Sequence, residues 1–267
     1  MRNEILEGDC QELLKKLESN SVPLTLTSPP YDGLRNYEHL PIAKFEKVAA
    51  ELFRVTELGG VLVWVVRDQI TKMGESGTSF EQARIFRALG FRLHNTLIME
   101  RYSDRSYCAN RYGMPPEFAF VLTKGQPRTF HKLRDRTNKT AGKKVVFHHR
   151  LPDGSYRQHP GTVAPFGYRS SIWRYGVGLL TAADPTVRKG HPALMPERMA
   201  MDLIRSWSNP TDLVLDPFAG AGTTCAMAVL CHRNYLGFEI DPRYVALARR
   251  RLQKVQRLYV EGILRGG

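Results

Sequence analysis

The stretch Asp212-Leu-Val-Leu-Asp-Pro-Phe-Ala-Gly-Ala-Gly-Thr-Thr224 decides how this 267-residue chain folds. Asp212 to Leu215 reads as a short buried strand, and Gly220 and Gly222 follow at a strand-to-helix turn, where missing side chains let backbone approach a ligand closely. A helix is expected from about Thr223 to Cys231 and a second strand from Tyr235 to Ile240. That strand ends on Glu239, 23 residues past Asp216. An acid near this spacing commonly takes a ribose diol in nucleotide-binding α/β folds.

A dinucleotide fingerprint would place a third small residue after the two glycines, but Thr223-Thr224-Cys225 stand there. Asp216, just before the glycines, would repel a pyrophosphate. A ligand with a cationic amino-acid end, such as S-adenosylmethionine, fits better: Asp216 would face its ammonium and Glu239 its ribose. On its own, the glycine loop could equally be a structural turn.

Outward from this segment the α/β alternation continues. A helix is expected over Pro196 to Trp207, and a last one opens at Asp241-Pro242, an N-cap followed by proline at the first helical position, and runs to about Leu258. Towards the N-terminus, Val22 to Thr27 reads as a buried strand stopped by Ser28-Pro-Pro-Tyr31, since paired prolines cannot extend a strand ladder. A helix (Phe45 to Thr56), a strand buried on both faces (Val61 to Val66), a helix (Phe80 to Leu89) and strands at His94 to Glu100 and Glu117 to Leu122 follow. The pattern predicts one α/β sheet.

Between Lys124 and Arg174 the texture changes, with twelve Lys or Arg against Asp135 and Asp153 alone, so most of the formal charge of +13 lies there. Such a field attracts a polyanion. Histidines and aromatics are interleaved (His131, His148, His149, Tyr156, Tyr168, Trp173), a mixture suited to phosphates and splayed bases, although a solvated loop is the plain alternative. Cys10, Cys108, Cys225 and Cys231 have no metal or disulfide spacing, so no metal is expected. No run is long and apolar enough to span a bilayer, and the acidic N-terminus lacks a signal-like apolar stretch, which predicts a cytoplasmic protein with no membrane partner.

Ser28-Pro-Pro-Tyr31 closes a strand, and strand carboxyl ends are where open α/β sheets build their crevices. An exocyclic amine is a poor nucleophile because its lone pair is conjugated with the base. Acceptors such as Ser28 Oγ and the Pro29 carbonyl could draw its hydrogens out of the ring plane, while the proline pair fixes that carbonyl's direction. Tyr31 could stack on a base flipped out of the duplex. Read in isolation, the same residues could simply end a strand in a turn.

With these residues the chain resembles the β-class amino-methyltransferases of bacterial and phage DNA modification, in which an S-P-P-Y motif precedes a D-P-F-x-G-x-G motif. The likeness covers nearly the whole chain. It implies a Rossmann-like seven-stranded sheet with helices on both faces, in circularly permuted motif order. Residues 1–123 would be the catalytic half, 124–180 an inserted target-recognition region, and 181–267 the cofactor half. It further implies catalysis by Ser28, Pro29, Pro30 and Tyr31 and S-adenosyl-L-methionine contacts from Asp216, Phe218, Gly220, Gly222, Thr223 and Glu239. His191-Pro192 looks like the family's additional cofactor segment, and Asp9 is either a cofactor contact or a helix N-cap. Implied partners are double-stranded DNA, a second copy in a homodimer, and a cognate restriction endonuclease as a separate chain.

Methylation at cytosine C5 needs a nucleophilic cysteine, usually after proline, and the chain has no Pro-Cys pair. Serine at the first catalytic position resembles enzymes acting on N4 of cytosine, with N6 of adenine as the alternative. An RNA methyltransferase and a non-catalytic DNA-binding protein are the rivals from other classes.

Overall fold

The computed structural model describes residues 2–30, 42–72, 74–101, 116–176, 184–190 and 194–262. In chain order the elements are β1 (Glu4–Glu7), α1 (Cys10–Lys15), β2 (Val22–Thr27), α2 (Ile42–Val55), β3 (Thr56–Val66), α3 (Thr78–Ala88), β4 (Arg92–Arg101) and β5 (Glu117–Thr123). Then come β6 (Arg136–Thr137), β7 (Lys144–Arg150), β8 (Tyr156–Thr162), β9 (Phe166–Gly167) and β10 (Ile172–Tyr175). The chain closes with α4 (Pro185–Gly190), α5 (Glu197–Trp207), β11 (Leu213–Asp216), α6 (Thr223–Leu230), β12 (Asn234–Glu239) and α7 (Pro242–Val260). Two compact units result, residues 1–131 with 171–267 and residues 132–170.

The first unit is a mixed sheet in the order β1-β12-β11-β2-β3-β5-β4-β10. Every neighbouring pair is parallel except the two that β5 makes, so the other strands point their carboxyl ends to one edge. Such burial on both faces explains the continuous apolar runs: Val61 to Val66 are all buried. Leu62, Trp64, Leu213, Leu215, Leu236 and Phe238 face a core shared with α1, α2 and α3. On the other side α5, α6 and α7 pack against one another and against β1, β2, β11 and β12.

The expected sheet of seven strands is corrected to eight. The additional strand, β10, lies inside the basic stretch and pairs with β4, Trp173 opposite Met99. Its Trp173 and Tyr175 turn inward and are buried while Ile172 stays exposed, and Tyr175 Oη donates to Asp202 at 2.7 Å. The compact second unit is accordingly narrower than the expected 124–180 insertion. Thr129 and β10 belong to the first unit because their side chains are buried there.

The second unit holds two small antiparallel pairs, β6 with β9 and β7 with β8. None of residues 132–170 is buried. Lys132 and Arg134 both lie over the Tyr168 ring, at 4.4 and 5.7 Å from its centre, and Arg169 pairs with Asp135.

Candidate active site

Asp216 ends β11 at the carboxyl edge, and β2 runs beside it in parallel, Leu215 opposite Thr25. Two residues further along β2, Thr27 Oγ1 donates to Asp216 Oδ1 at 2.6 Å, and both residues are buried. The strand that delivers Ser28 is thus tied to the strand that delivers the glycine loop. The same Asp216 oxygen accepts from Phe218 N at 3.1 Å, folding the loop back over the strand end. Burial pushes the Asp216 carboxyl up to about 6, while hydrogen bonds from Thr27, Thr224 and the Phe218 amide restrain the rise.

Glu239 ends β12 one strand further out, half-buried. Its Oε2 accepts from Gly220 N at 2.8 Å and its Oε1 from Asp241 N at 2.9 Å. Burial raises its proton affinity and these backbone amides, with that of Ile240, lower it. Each carboxylate oxygen can accept a further hydrogen bond, which is what a vicinal diol would supply. Ile240, next in sequence, is 66% exposed and sets a bare aliphatic surface beside that carboxylate.

Gly220 and Gly222 both adopt positive φ, at 51° and 73°, where a side chain is strained. Gly222 answers to packing as well, since a Cβ there would stand 3.0 Å from Ala248 Cβ on α7. From α7, the buried Arg251 reaches up to the loop. Its Nη1 donates to Ala221 O at 3.0 Å and to Thr223 Oγ1 at 2.9 Å, and its Nη2 to Glu197 Oε1 at 2.6 Å. Phe218 is braced from below by the edge of Trp64, ring centres 6.1 Å apart. Trp64 in turn donates to Gln82 and packs edge-on with Phe45 and Phe86.

The fold therefore brings Ser28, half-buried, and Pro29, buried, to the same edge as Asp216, Gly220 and Glu239. Pro30 is half-buried at the last described position of that loop, whereas Tyr31, His191 and Pro192 lie outside the described residues. Asp9 is the N-cap of α1, accepting from Gln11 N at 2.9 Å. Its neighbour Gly8 donates to the Glu239 carbonyl, so the cap still stands beside the end of β12. Thr223 spends its hydroxyl on Arg251.

Sequence reasoning missed Thr27 and Arg251. Thr27 carried only the signal of a β-branched strand residue, and Arg251 was one cation in the run Arg249-Arg-Arg251. Among the described residues no group of three or more His, Cys, Asp or Glu could hold a metal ion, and no helix is long and apolar enough to cross a membrane.

Known proteins share this arrangement. A family model for DNA methylases matches residues 22–250. The orphan methyltransferase M.BamHII of Bacillus amyloliquefaciens is 44% identical over 250 residues, covering 92% of this chain and 90% of that protein. The DNA adenine methyltransferase YhdJ of Escherichia coli (strain K12) is 27% identical, covering 93% and 82%. Among solved structures, PvuII DNA methyltransferase (cytosine-N4-specific) superposes with a TM-score of 0.69 at 19% identity, over 98% of this chain and 94% of that one. The DNA modification methylase TTHA0409 of Thermus thermophilus, solved as a complex with S-adenosyl-L-methionine, gives 0.64 at 26% identity, over 95% and 96%.

Proposed function

This chain belongs to the DNA methylase family, a family of S-adenosylmethionine-dependent DNA amino-methyltransferases, and on that premise we propose that it methylates N4 of a cytosine flipped out of duplex DNA. The observation that carries the proposal is the buried bond from Thr27 to Asp216, which locks the Ser28-Pro29 strand end beside the glycine loop. The residues suit the cofactor. Glu239 keeps acceptor capacity for the ribose hydroxyls, Ile240 offers a face for the purine, and the backbone at Gly220 is bare enough for close approach.

When bound, S-adenosylmethionine supplies an electrophilic methyl group. Ser28 Oγ and the Pro29 carbonyl accept the amine hydrogens, turning the nitrogen lone pair out of conjugation with the ring and towards that methyl. Pro29 and Pro30 hold the carbonyl in one direction, so little reorganisation accompanies the reaction. Tyr31 stacks on the flipped base, replacing the neighbours it left in the duplex. Asp216 is too deeply buried to offer the ligand more than an edge of its carboxylate, so its main work is to fix Thr27 and the Phe218 amide. His191, Pro192 and Asp9 complete the cofactor contacts. Phe218 and Gly222 shape the loop, and Thr223 fastens it through Arg251.

Serine at position 28 is what favours cytosine; the 27% identity to a DNA adenine methyltransferase supports adenine N6 as the second reading. The unit of residues 132–170 anchors DNA phosphates, with a second copy of the chain and a separate endonuclease as further partners. Modification-sensitive sequencing of DNA from cells expressing the protein identifies the methylated atom. Ser28→Ala should slow single-turnover methylation by about a hundredfold or more while a fluorescent base analogue at the target still reports flipping. A wild-type rate in that variant would refute the role given to Ser28.

A further inference from the structure

The hairpin β7–β8 projects seven registered residue pairs, Lys144 opposite Thr162 through Arg150 opposite Tyr156. Between the strands, Gly154 takes a positive φ of 86° and Asp153 Oδ1 accepts from both Ser155 N and Ser155 Oγ, which closes the turn tightly. An isolated two-stranded ribbon is marginal in water, and this one sits in a 39-residue unit without a single buried residue. Neither strand contains an Asp or Glu. Such a ribbon lacks a covering layer of protein, and its charge matches a polyanion.

Its two faces differ. On one, Phe147 and His149 meet the partner strand's His159, with ring centres 5.3 and 4.9 Å apart, the two imidazoles stacked. Phe147 also covers Gly161, where a Cβ would come within 2.8 Å of the ring. That face is closed on itself. The other carries Val146, His148 and Arg150 opposite Pro160, Gln158 and Tyr156, with Val146 52% and Tyr156 61% exposed. There the His148 and Tyr156 rings make a loose edge contact, at 6.5 Å between centres.

We infer that β7–β8 is a reading head that enters the DNA major groove with its open face, placing Arg150 and Gln158 against base edges. The inference rests on the proposed action on duplex DNA and adds the element and the residues that select the sequence. A two-stranded ribbon fits the major groove, about 12 Å wide, and the groove presents the acceptors and donors that this pair of side chains matches. Arg bonds guanine O6 and N7, Gln bonds adenine N6 and N7, and an apolar neighbour such as Val146 suits a thymine methyl. Lys143 and Lys144, at the root of the ribbon about 20 Å from Arg150 at the usual rise per residue, face phosphates instead.

The test is a binding selection from a randomised duplex library with the full-length protein and cofactor present, read by sequencing the retained duplexes. Arg150→Ala and Gln158→Glu should each lose discrimination at one or two positions by about fivefold to 150-fold, with cofactor affinity unchanged. Gln158→Glu preserves shape at an exposed ribbon position, so it reports on reading even if the alanine variant loosens the hairpin. The Lys143→Ala/Lys144→Ala double variant should weaken all sequences alike and flatten the salt dependence. Duplexes built with 7-deazapurines, which lack the major-groove N7 acceptor, should bind the wild type more weakly. Wild-type selection by both ribbon variants, or undiminished affinity for the 7-deazapurine duplexes, overturns the assignment. A wild type that selects a sequence but transfers no methyl group would sink the catalytic reading and leave the ribbon's role intact.

Discussion

Replacing Thr27 by valine keeps the shape of the side chain and removes only the hydroxyl that bonds Asp216 at 2.6 Å. Hydrogen bonds to charged groups contribute about 1.5 to 3 kcal/mol, and each pKa unit corresponds to about 1.36 kcal/mol. Asp216 should therefore rise by about one to two units from its value of about 6. The folded value lies above the ordinary 3.8, so the stability this carboxyl contributes is complete below pH 3.8 and is lost as pH rises through about 6. In the variant that loss continues to about pH 8. Thr27→Val and wild type should thus differ least at pH 5, where the carboxyl is protonated in both, and most at pH 8.5. The added deficit at pH 8.5 is about 1.5 to 3 kcal/mol, equivalent to about 3 to 12 °C in melting temperature for a chain of this size. Thr27→Ser, which retains the hydroxyl, should follow the wild-type pH profile. Melting curves at the two pH values decide the matter: an equal deficit at both would show that Thr27 does not stabilise an ionised Asp216.

Glu239→Gln should weaken S-adenosylmethionine binding by about tenfold to a hundredfold in a calorimetric titration, because one oxygen that accepts a hydroxyl becomes a donor. Arg251→Met strands Glu197 and frees the loop at Ala221 and Thr223; removing one partner of a buried pair costs about 3 to 5 kcal/mol, visible as a lower melting temperature accompanied by weaker cofactor binding. Gly222→Ala forces a side chain into positive φ and against Ala248, so about 1 to 2 kcal/mol of stability should be lost, measured by thermal melting.

Strands β2, β3, β11 and β12 were legible in the sequence because burial on both faces leaves an unbroken apolar run that no other environment tolerates. Helices α5 and α7 were legible for a different reason, their caps and apolar periodicity being local. Elements fixed by distant partners were not. Glu4-Ile-Leu-Glu7 is too short to declare itself and becomes a strand only through its register with Leu236 to Glu239. Ile172-Trp-Arg-Tyr175 sat within a basic stretch whose composition pointed to a surface insertion, yet its alternation buries two aromatics against the sheet. At the site, Asp216, Gly220 and Glu239 announced themselves by spacing, whereas Thr27 and Arg251 owe their roles to burial beside a carboxylate or a loop carbonyl. Nothing in a linear sequence distinguishes a buried guanidinium from a solvated one.

The second unit leaves the first after His131 and returns at Ser171, and both roots are pinned before anything between them matters. His131 N donates to Ser206 O at 2.8 Å, Ile98 N to Ser171 O at 2.9 Å, and Arg169 N to Leu133 O at 3.0 Å closes the neck. The intervening 39 residues behave as a cassette in evolutionary terms. Recombination at these two roots can install a new target preference in one event, without asking the residues that activate the amine or hold the methyl donor to change. Lineages of such enzymes would then diversify what they mark far faster than how they mark it, and the same two joints are where a chimeric methylase should be spliced.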